Sequence, residues 1–252
     1  MGNLEIRNIF KSFRNNQVLS GINFQVEEGE FVSILGPSGS GKSTLFNIIG
    51  GILVPDQGEI ILDGRNIVGK RGSISYTPQT PALFPWRTVL DNVLLGQEIL
   101  GLKEKEKALE MLEKAGLKGY ENAYPDELSG GMKQRVSFIR SLLSPQTLIC
   151  LDEPFSALDE FTRIQMQKWL QTIWLEHRRS VLFVTHNIEE ALFLSDKIVI
   201  LSNKPATVKK IFQIPFSRPR TEDFMLSEEF LSWKRQIYQE ISESFLFVEP
   251  SM

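Results

Sequence analysis

The residues of this chain best suited to chemistry begin at Gly36. Gly36, Pro37, Ser38, Gly39, Ser40, Gly41, Lys42 and Ser43 follow the pattern G-x-x-x-x-G-K-[ST], with Thr44 next. Glycines at these positions let backbone N–H groups turn inward around phosphate oxygens, and a helix starting there adds partial positive charge. In such a loop Lys42 reaches the β- and γ-phosphates and the Ser43 hydroxyl holds Mg²⁺. A second cluster is Asp152-Glu153, two carboxylates closing the apolar run LICL. At the carboxyl end of a parallel strand, Asp152 faces the ligand crevice and can hold the metal, while Glu153 is placed to polarise a water.

Elements must exist to hold these residues. The runs 31–35 (FVSIL), 148–151 (LICL), 181–185 (VLFVT) and 198–201 (IVIL) are apolar without alternation. That pattern fits strands of a parallel sheet covered on both faces. FVSIL precedes the glycine loop and TLFNIIG, read as helix, follows it, which is the setting a phosphate loop requires. Segments 4–8, 21–26 and 59–62 alternate and predict an antiparallel accessory sheet. From about 88 to 143 the pattern is helical, with Gly116 as a helix stop, and Asn187 with Glu190 predicts a capping box. Phe230, Leu231, Ile237, Tyr238 and Ile241 predict one amphipathic helix near the C-terminus. The expected fold is α/β: a P-loop NTPase core with a mainly parallel sheet, an antiparallel β accessory sheet and an inserted helical subdomain. The expected division is an ATPase domain over 1–220, with helices inserted at about 84–145, and a helical tail over 221–252.

Composition agrees. The chain has 252 residues, 42% hydrophobic and 23% charged, with a net charge of −3, which is ordinary globular composition without the basic excess of a nucleic-acid coat. Cys150 is the one cysteine, so neither an intrachain disulfide nor a cysteine zinc cluster is expected. The start MGNLEIRN lacks a signal-peptide core, and Ile6 stands where a myristoylation motif wants Ser or Thr. No apolar stretch approaches the ~20 residues of a membrane helix. The chain is expected to be soluble, reaching a membrane only through a partner.

Further motifs narrow the reading. Leu128-Ser129-Gly130-Gly131-Met132 resembles the LSGGQ signature of ABC ATPases, with Met132 in place of the glutamine. Ser156-Ala157-Leu158-Asp159 resembles their D-loop, Gln79 their Q-loop glutamine and His186, directly after VLFVT, their switch histidine. Phe13 is similar to the aromatic on which adenine stacks, with Val18 nearby. These motifs stand in the family order over roughly residues 4 to 202. His177, among charged residues, is read as an ordinary helix-end residue.

The resemblance implies an ATPase that binds ATP and Mg²⁺. Glu153 would act as general base, with His186, Gln79 and Lys42 completing the catalytic set. Ser43, Gln79 and Asp152 would hold the metal. Phe13, Val18, the loop from Gly36 to Thr44, Ser129, Gly130, Gly131 and Asp159 would hold nucleotide. It also implies a head-to-tail dimer with a second ATP-binding subunit, expected to be identical, in which Lys42 and Ser43 of one copy face Ser129 and Gly131 of the other. Integral membrane permease subunits would dock near Gln79 and Phe84, Pro85, Trp86 and Arg87, with an extracytoplasmic solute-binding protein as an indirect partner. The same aromatics could instead be core residues under the loop. The expected location is the cytoplasmic face of the cell membrane, and no nucleic-acid partner is expected. FPWRTVLDNV resembles the nitrate, sulfonate and taurine importer group. A soluble ABC factor of translation or DNA maintenance is the alternative, although such relatives carry paired domains or long insertions. A P-loop kinase or GTPase is disfavoured, since Asn203-Lys204-Pro205 and Ser195-Asp196-Lys197 hold the letters of a guanine motif only in scattered form.

Overall fold

A computed structural model describes residues 2–102 and 104–242. Two sheets organise it. The antiparallel sheet has the order β2 (Asn16–Val26), β1 (Leu4–Phe13), β4 (Gln57–Leu62), β5 (Arg65–Asn66). The six-stranded sheet has the order β10 (Val208–Gln213), β9 (Lys197–Leu201), β3 (Phe31–Leu35), β8 (Ser180–Val184), β7 (Leu148–Asp152), β6 (Ser75–Thr77). Its strands run parallel except β10, which pairs antiparallel with β9 at the edge.

The apolar runs of β3, β7, β8 and β9 are buried along their whole length, because both faces are covered. The two-residue period of a strand divides them between cores. Phe31, Ile149, Leu151, Val181 and Phe183 join the helical side; Val32, Ile34, Leu148, Cys150, Leu182 and Val184 join the antiparallel sheet and α1 (Lys42–Ile49). On the helical side lie α2 (Val89–Glu98), α3 (Lys105–Lys114), α4 (Gly130–Leu143) and α5 (Glu160–His177). Beyond β8 come α6 (Ile188–Leu194) and, after β10, the short α7 (Glu222–Met225) and α8 (Glu228–Ser242).

Several expectations need correction. β1 and β2 extend well past residues 8 and 21, because Phe13 pairs with Asn16 across a tight turn. The strand expected at 181–185 is shifted by one: Thr185 turns its hydroxyl to Glu190 and leaves the strand. Asn187 caps α6 by accepting from the Glu189 and Glu190 N–H groups, but Glu190 does not close the box. Its carboxylate takes the Thr185 hydroxyl, and the Asn187 N–H donates to the same hydroxyl. Gly116 lies just beyond the α3 cap at φ 69°, the left-handed position a helix stop needs.

The expected tail helix forms over Glu228–Ser242 with its apolar face rotated, and the last part of the tail expected over 221–252, residues 243–252, lies outside the described residues. Phe230 and Ile237 are buried with Trp233 and Ile241 beside them, whereas Leu231 and Tyr238 are exposed. α8 packs on α6, and its Phe230 shares a cluster with Leu35, Ile198 and Phe212 of the main sheet.

α4 links the helical block to the sheet. Its Arg140 donates to the carbonyls of Pro81 (3.0 Å) and Ala82 (2.9 Å), and Ser141 bonds the Thr77 hydroxyl at the end of β6. Leu83 packs against the helical core, while Trp86 is 70% exposed and stacks obliquely with Phe84 at 5.2 Å. Core and surface thus divide the aromatic loop between them.

Candidate functional site

The loop from β3 to α1 is shaped by its glycines. A Cβ on Gly36 would lie 3.1 Å from both the Leu201 carbonyl and Ser40 Oγ, and one on Gly41 would lie 2.9 Å from Val18. Gly39 and Gly41 have φ of 78° and 107°, values that favour glycine. α1 opens with neither a side-chain cap nor an acidic residue in its first turn. Its leading N–H groups are therefore free to face an anion. Ser40 Oγ is buried with no hydrogen-bond partner, an orphan that a phosphate oxygen would satisfy. Lys42 Nζ lies across the loop, donating to the carbonyls of Gly36 (2.8 Å) and Pro37 (2.9 Å). Burial lowers its pKa, against the opposing pull of Glu153 and Asp152.

The carboxylates arrive from β7. Burial raises the Asp152 pKa, and the principal opposing influence is the Tyr76 hydroxyl, which donates to Asp152 Oδ2 at 3.1 Å. Glu153 has φ 44°, a costly conformation for a non-glycine residue, held by its N–H on the Val184 carbonyl at 2.9 Å. Two side chains converge on its carboxylate. His186 Nδ1 lies 3.2 Å from Glu153 Oε2; Gln79 Nε2 lies 3.5 Å from the same oxygen and donates to Ser156 Oγ at 3.1 Å. Gln79, Asp152 with Glu153, and His186 follow β6, β7 and β8, so adjacent strands deliver them to one edge of the sheet. The cavity there, of about 260 Å³, is lined by Ser38, Gly39, Gly41, Lys42, Ser43, Thr44, Glu153 and Lys204.

Other expected residues lie apart from this cavity. Ser129 caps α4, its Oγ accepting from Met132 N at 3.3 Å, and Gly131 abuts Thr162, whose Cγ2 an added Cβ would approach to 2.9 Å. Asp159 caps α5 by accepting from Thr162 N, which holds its pKa low. None of Ser129, Gly130, Gly131 and Asp159 lines the cavity. Met132 packs its side chain against the helical core. Phe13 is 44% exposed, with Lys11 Nζ 5.5 Å from its ring centroid, and Val18 is buried beneath Gly41. His177 ends α5 and is part of no such cluster; burial lowers its pKa.

Sequence reasoning missed Tyr76 and Lys204 as neighbours of this site. It also missed an ion pair behind His186. Arg163 donates to the Leu158 carbonyl at 2.9 Å and its Nε lies 3.6 Å from Glu190, which holds Thr185. Tyr76 stands three residues before Gln79 and Lys204 belongs to the scattered guanine motif, but neither placement marks a site residue by itself.

A family model described as ABC transporter matches residues 19–156, from β2 through the carboxylates to the D-loop. The chain belongs to the ABC transporter family. Within that family it is an ATP-binding subunit and an ATPase. It is 42% identical over 238 residues to the aliphatic sulfonates import ATP-binding protein SsuB of Bacillus cereus, covering 94% of this chain and 93% of that protein. It is 45% identical over 204 residues to the formylaminopyrimidine import ATP-binding protein ThiZ of Halalkalibacterium halodurans, covering 80% of each. Among solved structures, the ATP-binding cassette MJ0796 in a dimeric post-hydrolysis state bound to ADP and Pi superposes with a TM-score of 0.70 at 30% identity, covering 85% of this chain and all of that one.

Proposed function

We propose that this chain is the ATP-hydrolysing motor of an importer, working as a head-to-tail dimer beneath a membrane permease. The observation that carries the proposal is the gathering of Lys42, Ser43 and Glu153 around one cavity, with Gln79 and His186 both on the Glu153 carboxylate. Glu153 accepts the proton of the attacking water, and His186 holds that carboxylate and the water in register. Lys42, now spent on two loop carbonyls, turns to the phosphates when nucleotide enters. Phe13 and Val18 carry the base, and the N–H groups from Gly39 to Thr44 wrap the phosphates.

Mg²⁺ fits the donors present. Ser43, Asp152 and Gln79 offer oxygen ligands, and among the described residues no cluster of three or more acidic, His or Cys side chains forms a complete metal cage. The remaining positions therefore belong to phosphate oxygens and water, as Mg²⁺ prefers. When bound, the ion neutralises charge developing on the phosphates.

Ser129 and Gly131 stand outside the cavity of their own chain, which supports a dimer in which they close the cavity of a second, identical chain. Asp159 would lie at that junction. Trp86 and Phe84, beside the Gln79 loop, offer an apolar surface for the permease. Among the described residues no helix is long and apolar enough to cross a membrane. As an import ATP-binding subunit, the motor would sit on the cytoplasmic face of the membrane, with a solute-binding protein delivering cargo on the far side. The two named relatives import different solutes, so the cargo proposed is a small organic solute of the sulfonate, taurine or pyrimidine kind. The test is Glu153→Gln. The variant keeps ATP affinity, loses at least 100-fold in turnover and elutes as a dimer with ATP, and the tagged chain brings a permease from gently solubilised membranes. Wild-type turnover by the variant removes Glu153 from the mechanism; a membrane extract without any permease removes the transport role.

A further inference from the structure

Lys204 belongs to none of the motifs that define the site, yet it lines the same cavity as Ser38, Gly39, Lys42 and Glu153. It is exposed, on the loop joining β9 to β10. That loop is held at several points. Ser202 N donates to the Thr207 carbonyl at 3.0 Å, and Thr207 N returns to Ser202 Oγ at 3.0 Å. Ala206 is fully buried; its N–H donates to the Val18 carbonyl (2.9 Å) and its carbonyl accepts from Ser20 N (2.8 Å). The loop is thereby fastened to β2 beside Val18 and to the β9 end whose Leu201 abuts Gly36. A loop fixed in this way presents its side chain in a defined place at reduced entropic cost on binding.

Charge supplies the second argument. Lys42 stands against two neighbouring carboxylates, Asp152 and Glu153, both of which act on it electrostatically. Asp152 does not line the cavity, so the charged side chains that face an entering polyphosphate are Lys42, Glu153 and Lys204. Lys42 and Glu153 offset each other, and Lys204 leaves the lining with a net positive charge, which favours a polyphosphate.

We propose that Lys204 is a second phosphate-facing cation of the nucleotide site, binding ATP more strongly than ADP through the extra charge of the terminal phosphate. The inference rests on the ATPase reading above. A partly exposed cation near a phosphate acts through a screened Coulomb attraction, which falls as ionic strength rises. Lys42 makes buried hydrogen bonds and is insulated from that screening.

The experiment measures ATP and ADP affinity of the full chain by calorimetry at 50 mM and 500 mM salt, for wild type, Lys204→Ala, Lys204→Arg and Lys42→Ala. The expected result for Lys204→Ala at low salt is about a fivefold loss for ATP and about twofold for ADP, both shrinking at high salt. Lys204→Arg restores both, and Lys42→Ala abolishes tight binding at either salt. Absence of ATP binding by wild type would sink the ATPase reading itself. Wild-type binding with Lys204→Ala unchanged would overturn this inference alone. So would an equal loss of both nucleotides that salt does not alter, since that marks a distorted loop. A loss confined to ATP-dependent dimerisation would likewise overturn it, by showing that Lys204 meets the partner chain.

Discussion

Replacing Tyr76 by Phe removes one hydroxyl and leaves the rest of its setting intact. The ring keeps its edge-on contact with Phe46 at 6.2 Å, and β6 keeps its pairing to β7. What is lost is the hydrogen bond to Asp152 Oδ2. Burial lifts the Tyr76 phenol well above its ordinary pKa, so the hydroxyl is a donor across the working range. Hydrogen bonds to charged groups contribute about 1.5–3 kcal/mol, and partial access of water to this cleft points to the lower end. About 1.4 kcal/mol corresponds to one pKa unit. Burial already raises the Asp152 pKa, and losing its main hydrogen bond raises it further. Proton and metal compete for this carboxylate, and the acid limb of metal binding therefore moves to higher pH. The folding linkage has the matching sign. With the folded pKa above the unfolded one, the Asp152 contribution to stability is full below the unfolded pKa and is lost as pH rises through the folded value. The variant moves the end of that loss upward. The assay is Mn²⁺ binding in the presence of ADP, followed by electron paramagnetic resonance from pH 5.5 to 8.5. Affinity should drop most at the acid end, by up to about tenfold, and converge with wild type at the alkaline end. Superimposable profiles, or a uniform loss at every pH, would refute the reasoning.

Two other substitutions probe how the site is supported. Arg220 is buried, donates to the carbonyls of Leu192, Phe193, Ser195 and Phe216, and has its pKa pushed down to about 9 by burial. Arg220→Met strands those carbonyls and should cost about 3 kcal/mol, lowering Tm by about 6–12 °C in calorimetry; a change under 2 °C would contradict the capping role. Gly131→Ala drives a Cβ against Thr162 and should cut steady-state ATPase about tenfold while ATP binding by the single chain is kept. Adding Thr162→Ser, which deletes the opposing methyl, should recover part of the activity, and no recovery would rule out the steric explanation.

The parts of this molecule that could be read in advance are those in which function is contiguous. The glycine loop carries its own geometry in its glycines, and LICL followed by two carboxylates announces a buried strand meeting a crevice. The Tyr76–Asp152 hydrogen bond spans 76 residues and depends on β6 lying next to β7, an adjacency that no local pattern encodes. The Arg163–Glu190 pair likewise depends on how α5 meets α6. β10 gives no such signal because it is an edge strand with a single buried residue, Phe212, which removes the apolar run that marks the others. In α8, two neighbouring stripes satisfy a helical period, and only the position of α6 selects the one holding Phe230 and Ile237. Met132 departs from the signature without altering the serine and glycines beside it. Its side chain turns to the core, leaving the Ser129 hydroxyl and the glycine backbone at the surface.

α4 has a consequence of its own. Its 14 residues make a rod about 21 Å long, at 1.5 Å per residue. At one end stands Ser129; at the other, Arg140 grips the carbonyls of Pro81 and Ala82 and Ser141 grips Thr77. A helix that is bonded along its length transmits displacement without storing much of it. Whatever pulls on the loop after Gln79 therefore swings the far end, and the two motifs share one lever.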